Sequence, residues 1–238
     1  MGASTVAVKA CLNGGRTRAE HPAVPLTAAE LAADAVAVRA AGAFAVHVHP
    51  RGRGGRQTMD AKASDAAVAA IRAAAPRLPI GLSTSAAIDP DPFARVAAMT
   101  AWQNRPDFVS VNVYEPGWMG IARAALHAGI AVEAGLAVPA DAEALRASPF
   151  AHQILRVLIE VDGGAEEARA ISELIPAGVP QLWHGSGART WSVLSAARTA
   201  GIDVRVGLED VLVLPDGRTA ADNAELVAAA VALSDPAD

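Results

Sequence analysis

Short apolar runs alternate with longer alanine-rich stretches along the chain, and this alternation predicts eight strand–helix units. The predicted strands are Thr5–Leu12, Ala43–His49, Pro79–Ser83, Phe108–Val113, Ile130–Gly135, Ile154–Glu160, Gln181–His184 and Asp203–Gly207. The predicted helices lie near residues 27–41, 60–75, 91–103, 117–129, 139–147, 164–175, 188–200 and 221–234. Thr27 followed by Glu30 is a capping-box pattern at the first helix start. Gly129 and Gly201 stand where helices should end.

Strands that alternate with helices pair in parallel through right-handed crossovers, and eight is the number at which such a sheet closes on itself. We therefore predict an α/β fold, a single (β/α)8 TIM barrel in which residues 1–238 form one domain. An open doubly wound sheet is the competing interpretation.

The composition of the chain indicates which kinds of binding partner and which cellular compartment to expect. The net charge of −5 argues against a nucleic-acid backbone. The single cysteine, Cys11, excludes an internal disulfide and fits a reducing cytosol. The N-terminal residues lack the pattern of a signal peptide, and no stretch approaches the ~18 apolar residues of a membrane span. We expect a cytoplasmic protein that binds neither nucleic acid nor membrane.

Polar residues gather at the predicted strand ends, where a barrel carries its chemistry. They are Asn13, His47, His49, Ser83, Thr84, Asn112, Glu133, Glu160, His184, Glu209 and Asp210. An isolated polar strand residue usually makes a hydrogen bond in the core, but an unpartnered buried glutamate would cost several kcal/mol. So many polar residues at one end of a sheet favour a functional site there.

The sharpest local pattern is His47-Val48-His49, because side chains two apart on a strand point to the same side. Two imidazoles with a carboxylate suit zinc, or another divalent metal, with a position left open for substrate. Glu209 is the carboxylate we choose, since barrel closure can bring the eighth strand towards the second. Asp210 beside it points differently and could act as a base. Two hydrogen-bonded core histidines and an exposed Glu-Asp turn remain the alternatives.

Four segments together resemble the β-keto acid cleavage enzymes, the family of 3-keto-5-aminohexanoate cleavage enzyme. They are Asn13-Gly14-Gly15 with Pro22-Ala23-Val24-Pro25-Leu26-Thr27, Ala41-Gly42-Ala43 leading to His47-Val48-His49, Gly81-Leu82-Ser83-Thr84, and Arg205-Val206-Gly207-Leu208-Glu209-Asp210. The likeness spans nearly the whole chain in the same order. The His-Val-His and Arg-Val-Gly-Leu-Glu-Asp segments are its specific part.

The resemblance implies a metal-dependent barrel, with no other bound organic cofactor, that converts a β-keto acid and acetyl-CoA into acetoacetate and a new acyl-CoA. It implies zinc ligands at His47, His49 and Glu209. It also implies a substrate-holding serine at Ser83, and joint deprotonation of the substrate by Arg205 and Asp210. The family likeness further suggests a homotetramer or a homodimer.

The remaining predicted site residues are assigned to substrate. Ser83 and Asn112 could hold oxygens that become negatively charged, and Asn112 could equally be a strand-end cap. Thr84, Glu133 and His184 are predicted to line the site, although a strand-end histidine is more often a core residue.

Arg16 stands where 3-keto-5-aminohexanoate cleavage enzyme has a glutamate. Arginine would repel an ammonium and attract a carboxylate, so we expect a neutral or anionic β-keto acid. A surface arginine in a loop is the alternative. For the whole protein, the alternatives are a metal-dependent aldolase or hydrolase that uses no CoA, and a barrel that binds a small acid as a sensor.

Overall fold

The computed structural model describes residues 6–234, so Thr5 of the first predicted strand and residues 235–238 lie outside the described part. The strands found there are Val8–Cys11 (β1), Ala43–Val48 (β2), Ile80–Ser83 (β3), Phe108–Asn112 (β4), Ala131–Leu136 (β5), Arg156–Val161 (β6), Gln181–Gly185 (β7) and Asp203–Val206 (β8). The α-helices are Ala28–Ala40 (α1), Ala61–Ala74 (α2), Pro92–Thr100 (α3), Trp118–His127 (α4), Pro139–Ala147 (α5), Ala165–Ser172 (α6), Thr190–Thr199 (α7) and Asn223–Ser234 (α8).

The strands form a closed barrel in sequence order, and every neighbouring pair is parallel. Closure is made by β1 and β8, where Lys9 is level with Arg205 and Ala10 is level with Val206. The predicted TIM barrel is confirmed, and the open doubly wound sheet is wrong. Closure carries β8 to β1, which pairs with β2, and this brings the Arg205 segment towards the two histidines.

Local signals in the sequence set the helix ends. The Thr27 hydroxyl accepts the Glu30 amide at 3.2 Å, and the Glu30 carboxylate accepts the Thr27 amide at 2.9 Å. This is the predicted capping box. Gly129 and Gly201 follow α4 and α7 with φ of +73° and +69°, the left-handed conformation that ends a helix. None of the helices in residues 6–234 is long and apolar enough to cross a bilayer.

Alanine, valine, leucine and isoleucine fill the layer between the barrel and its helices. The inside of the barrel holds charges as well. The Lys9 ammonium and the Arg156 guanidinium both bind the Glu133 carboxylate, and the Arg156 guanidinium lies 4.6 Å from the centre of the Phe108 ring. Gly81 makes room for that ring, because a Cβ there would collide with it. This charged layer lies beneath the carboxyl ends of the strands and supports the residues above it.

Candidate metal centre and active site

His47 lies on β2 and His49 directly follows its last residue, and their imidazoles face each other, as their two-residue spacing predicts. Their Nε2 atoms are 3.0 Å apart, and both residues are buried. Burial lowers the pKa of His47 well below its ordinary value, so this imidazole is neutral.

Hydrogen-bond partners fix which nitrogen of each ring carries the proton. The Nδ1 of His47 lies 3.3 Å from the Ser110 hydroxyl, which donates to the Glu133 carboxylate at 2.9 Å. The hydroxyl must therefore accept from His47 Nδ1–H. The Nδ1 of His49 donates to the side-chain carbonyl of Gln57. In the neutral form of each ring, Nε2 then carries a lone pair, and the two Nε2 atoms face each other.

Glu209 follows β8 and supplies the third donor. Its Oε1 lies 3.5 Å from His49 Nε2, and one donor atom from each of the three residues falls within 4.8 Å of the others. Its Oε2 is buried and has no hydrogen-bond partner within residues 6–234. Burial opposes ionisation of Glu209, but the Arg205 guanidinium outweighs it and holds the pKa of this carboxyl well below the usual range.

This donor set fits a divalent cation. Two imidazoles, which offer lone pairs when neutral, converge with an ionised carboxylate, and one oxygen of that carboxylate has no hydrogen-bond partner in the described part of the chain. Nitrogen and oxygen ligands of this kind suit zinc, with room left for substrate.

Arg205 and Asp210 form a buried ion pair beside these three residues. The Arg205 Nη2 donates to Asp210 Oδ1 at 2.8 Å and to Glu209 Oε1 at 2.6 Å, while its Nε lies 3.2 Å from Asp210 Oδ2. Burial opposes the charge of Arg205, but Asp210 and the carboxylates around it raise its pKa well above the ordinary value. The guanidinium therefore stays charged, and its hydrogen bonds hold the Asp210 and Glu209 carboxylates in place.

His184 and Glu160 border the same ion pair. The His184 Nε2 lies 3.6 Å from Asp210 Oδ1, and burial lowers the pKa of His184 to about 4, so the ring is neutral. The Glu160 carboxylate lies 3.7 Å from Arg205 Nη1, and its side chain is 22% exposed. Burial raises the pKa of Glu160 above the usual value.

Ser83, Thr84 and Asn112 lie at the ends of β3 and β4, as predicted. The Ser83 oxygen accepts the Ser85 amide at 3.3 Å, and its hydroxyl proton has no acceptor among residues 6–234, so it can donate. The Thr84 hydroxyl donates to the Ser110 carbonyl at 2.7 Å, and the Asn112 amide donates to Glu115 at 2.9 Å. The Thr84 hydroxyl proton and one of the two Asn112 amide protons are therefore bonded to protein, and the roles of both residues toward substrate stay predictions.

Two predicted substrate residues are paired with other charged groups of the protein. The Glu133 carboxylate is fully buried and bonded to Lys9, Arg156 and Ser110. Burial opposes its ionisation, but Lys9 and Arg156 hold its pKa far below the usual range. The Arg16 guanidinium, in the loop after β1, pairs with Glu20 at 2.8 Å. Contact of either residue with substrate stays a prediction.

Sequence reasoning missed several residues of the site. Ser110 and Gln57 bind the histidines, and neither carries a local sequence signal, because each contact depends on how separate segments align. Glu160 ends a predicted strand, and this position is a usable signal, although Glu160 is not among the residues that the sequence analysis assigns to substrate. Gly14, with φ of +45°, gives Glu209 its space, since a Cβ there would collide with the Glu209 side chain.

The sequence of this chain is similar to sequences of known proteins. The family model described as beta-keto acid cleavage enzyme matches residues 5–147 and 140–238. The 3-keto-5-aminohexanoate cleavage enzyme of Fusobacterium nucleatum subsp. nucleatum is 26% identical over 247 residues, which cover 95% of this chain and 90% of that protein.

Solved structures share the fold at lower identity. The apo structure of ObcA superposes with a TM-score of 0.67 at 18% identity over 87% of this chain. A complex of ObcA with oxaloacetate gives a TM-score of 0.68, also at 18% identity and over 87% of this chain. The chain spans 61% of the apo ObcA chain and 62% of the other. The 3-hexulose-6-phosphate synthase of Salmonella typhimurium matches at 15% identity with a TM-score of 0.57, covering 96% of this chain and 98% of that one.

Proposed function

Because the chain belongs to the β-keto acid cleavage enzyme family, we propose that it converts a β-keto acid and acetyl-CoA into acetoacetate and a new acyl-CoA. The observation that carries the proposal is the convergence of two imidazole lone pairs and the Glu209 carboxylate beside the Arg205–Asp210 pair. A divalent cation held by His47, His49 and Glu209, most suitably zinc, would supply Lewis-acid polarisation of the substrate's carboxylate and ketone oxygens.

Asp210 is the base in this proposal. Its carboxylate takes a proton from the carbon between the ketone and the carboxylate of the substrate, and the proton then resides on an Asp210 oxygen. Arg205 keeps Asp210 oriented through two hydrogen bonds and stays charged throughout. His184 is neutral, so it adds no competing charge at 3.6 Å from Asp210. The substrate carbon then attacks the thioester carbonyl of acetyl-CoA, and the CoA thiolate leaves. The thiolate adds to the original ketone carbon, the bond between that carbon and the attacking carbon breaks, and the new acyl-CoA is released. The carbanion that remains takes the proton back from Asp210 and leaves as acetoacetate.

The other predicted residues bind and orient substrate. Ser83 donates its free hydroxyl proton to a substrate oxygen that gains negative charge, and Asn112 assists at the neighbouring strand end. The mouth of the barrel and the floor beneath it are shaped in this proposal by Thr84, Glu133 and His184.

We retain Arg16 as a selector for neutral or anionic substrates, which requires the guanidinium to leave Glu20. An Arg16→Glu variant with unchanged substrate preference would contradict that role. ObcA has been described in complex with oxaloacetate, which makes this β-keto acid a suitable member of a test panel.

A panel assay tests the proposed function. Purified protein loaded with zinc is incubated with a set of β-keto acids, with and without acetyl-CoA, and both acetoacetate and the new acyl-CoA are measured. We expect both products only when acetyl-CoA is present, and loss of both in His47→Ala and Asp210→Asn. Acetoacetate without acetyl-CoA would instead indicate an aldolase or hydrolase, and binding of a β-keto acid without turnover would indicate a sensor.

The assembly and location of the protein belong to the same proposal. We propose a homotetramer or homodimer in the cytoplasm that acts on small molecules, not on nucleic acid or membrane. Light scattering during size-exclusion chromatography should give a mass of two or four chains, and a single-chain mass would contradict this.

A further inference from the structure

A buried chain of hydrogen bonds runs from the charged barrel floor to His47. The Lys9 ammonium binds Glu133 Oε1, the Ser110 hydroxyl lies 2.9 Å from that same oxygen, and His47 Nδ1 lies 3.3 Å from the Ser110 hydroxyl. We propose that Ser110 and Glu133 are positioning residues that orient His47 and fix its tautomer for metal binding. This inference rests on the proposed metal centre and deepens it.

The direction of each hydrogen bond in the chain is determined by its partners. Lys9 has only protons to donate, and Arg156 donates from Nε to Glu133 Oε2 at 2.6 Å. Between two cations, Glu133 is held as a carboxylate that can only accept. The Ser110 hydroxyl has one proton, which it gives to Glu133, so its oxygen is left to accept from His47 Nδ1–H. The lone pair of His47 is then at Nε2, on the side of His49 and Glu209.

The strand register places Ser110 between His47 and Glu133. Ser110 is level with Glu133 across the β4–β5 pair and level with Ser83 across the β3–β4 pair, while His47 on β2 is level with Gly81 on β3. A serine hydroxyl therefore spans a gap that the Glu133 carboxylate does not cross by itself.

The chain has a chemical consequence for His47. A ligand histidine whose second nitrogen donates toward a carboxylate is held in one orientation and is a more basic ligand, and loss of such a partner typically weakens metal binding 10- to 100-fold. His49 has only the neutral Gln57 amide in the corresponding position. The two ligand histidines are thus supported unequally, and the stronger support enters through Ser110.

Metal affinity measures this role without relying on turnover. Chelator-stripped wild type, Ser110→Ala and Ser110→Thr are titrated with Zn²⁺ in competition with a coloured chelator. We expect the zinc dissociation constant of Ser110→Ala to rise about 10- to 100-fold, and Ser110→Thr to recover most of the affinity. Ser64→Ala is the matched control, because Ser64 is also a buried serine but its hydroxyl has no partner within residues 6–234. Its affinity should equal that of the wild type.

The outcomes separate this inference from the proposed metal centre. If wild type binds no zinc, the proposed metal centre is wrong, and so is the positioning role of Ser110 and Glu133 that depends on it. If wild type binds zinc and Ser110→Ala binds it equally well, the metal centre stands and only the positioning role of Ser110 and Glu133 is wrong.

A second measurement needs no variant, and so decides the matter even if Ser110→Ala does not fold. Nitrogen-15 NMR of the histidine rings in zinc-loaded wild type should show a proton on His47 Nδ1 and none on Nε2. The opposite tautomer would overturn the proposal.

Discussion

Glu209 occupies space that exists only because residue 14 is glycine. Gly14 has φ of +45°, and a Cβ on it would collide with the Glu209 side chain. We predict that Gly14→Ala displaces the Glu209 carboxylate and raises the zinc dissociation constant at least tenfold. Competition titration with Zn²⁺ measures the change.

Gly54→Ala is the control for backbone strain in this experiment. Gly54 also has a positive φ, of +76°, but a Cβ there would meet nothing within 4 Å. Both variants should lose about 1 kcal/mol of stability from an alanine in the left-handed region. Only Gly14→Ala should lose metal affinity, so equal zinc affinities in the two variants would contradict the prediction.

Glu160 places a negative charge in the mouth of the barrel, 3.7 Å from Arg205. We predict that Glu160→Gln raises kcat/KM for β-keto acids with a second carboxylate about tenfold relative to neutral ones, because a repulsive charge is removed at close range. Steady-state kinetics on one anionic and one neutral substrate give the ratio. The control is Glu173→Gln, an equal change of charge at the exposed end of α6, on the opposite face of the barrel. A ratio that shifts equally in both variants would contradict a role for Glu160.

Some of these residues could be predicted from the sequence, and others could not, for a physical reason. His47 and His49 follow from the two-residue period of a strand, and the Glu209 segment follows from closure of the barrel. Depth inside the barrel does not follow, because it depends on register. Glu133 is level with Arg156, the first residue of β6, whereas Glu160 is four residues further along that strand. The sequence shows two similar glutamates, and the register places one in the floor and the other in the mouth.

At the scale of elements, the contact between β1 and the end of β8 is unusually close. A Cβ on Gly207 would collide with the Cys11 carbonyl, which accepts the Glu209 amide at 3.3 Å. We predict that Gly207→Ala lowers the free energy of unfolding by about 1–3 kcal/mol, because backbone atoms cannot move aside as a flexible side chain would. Urea unfolding followed by circular dichroism measures it.

Gly120→Ala provides a comparison for this result. Gly120 lies inside α4, and a Cβ there would meet nothing within 4 Å, so alanine should stabilise that helix by up to about 1 kcal/mol. The same substitution should therefore have opposite signs at the two sites. A neutral or stabilising effect of Gly207→Ala would show that the barrel does not depend on this contact.

The observed ends of the strands differ slightly from the ends that the hydrophobic pattern predicts. The strand predicted at Phe108–Val113 is Phe108–Asn112, and the strand predicted at Pro79–Ser83 is Ile80–Ser83. Val113 and Pro79 each still share one backbone hydrogen bond with a neighbouring strand: the Val113 amide donates to the Gly135 carbonyl at 2.9 Å, and the Pro79 carbonyl accepts the Val46 amide at 2.9 Å. The pattern therefore gives the number and order of the strands, while their ends depend on pairing with neighbours that the pattern does not contain.

For the whole molecule, the ring of helices closes where α1 meets α8, and this junction contains a titratable group. The Asn223 side-chain amide donates to Asp34 Oδ2 at 2.6 Å and to the Leu12 carbonyl at 2.8 Å, while its oxygen accepts the Leu208 amide at 2.7 Å. Asn223 thus joins α1, α8 and the ends of β1 and β8. Burial raises the pKa of Asp34 from 3.8 to about 7.

This raised pKa makes the stability of the fold depend on pH in a definite direction. Below pH 4 the carboxyl is protonated in both states and contributes nothing. Between about pH 4 and pH 7 the unfolded chain releases the proton while the folded chain keeps it, so the free energy of unfolding falls as pH rises. We predict that Asp34→Asn, which keeps the acceptor oxygen for Asn223, leaves stability at pH 4 unchanged and raises it at pH 8 by up to about 4 kcal/mol. Urea unfolding at both pH values measures this. A variant no more stable than wild type at pH 8 would mean that Asp34 ionises without penalty, and that the α1–α8 junction tolerates its charge.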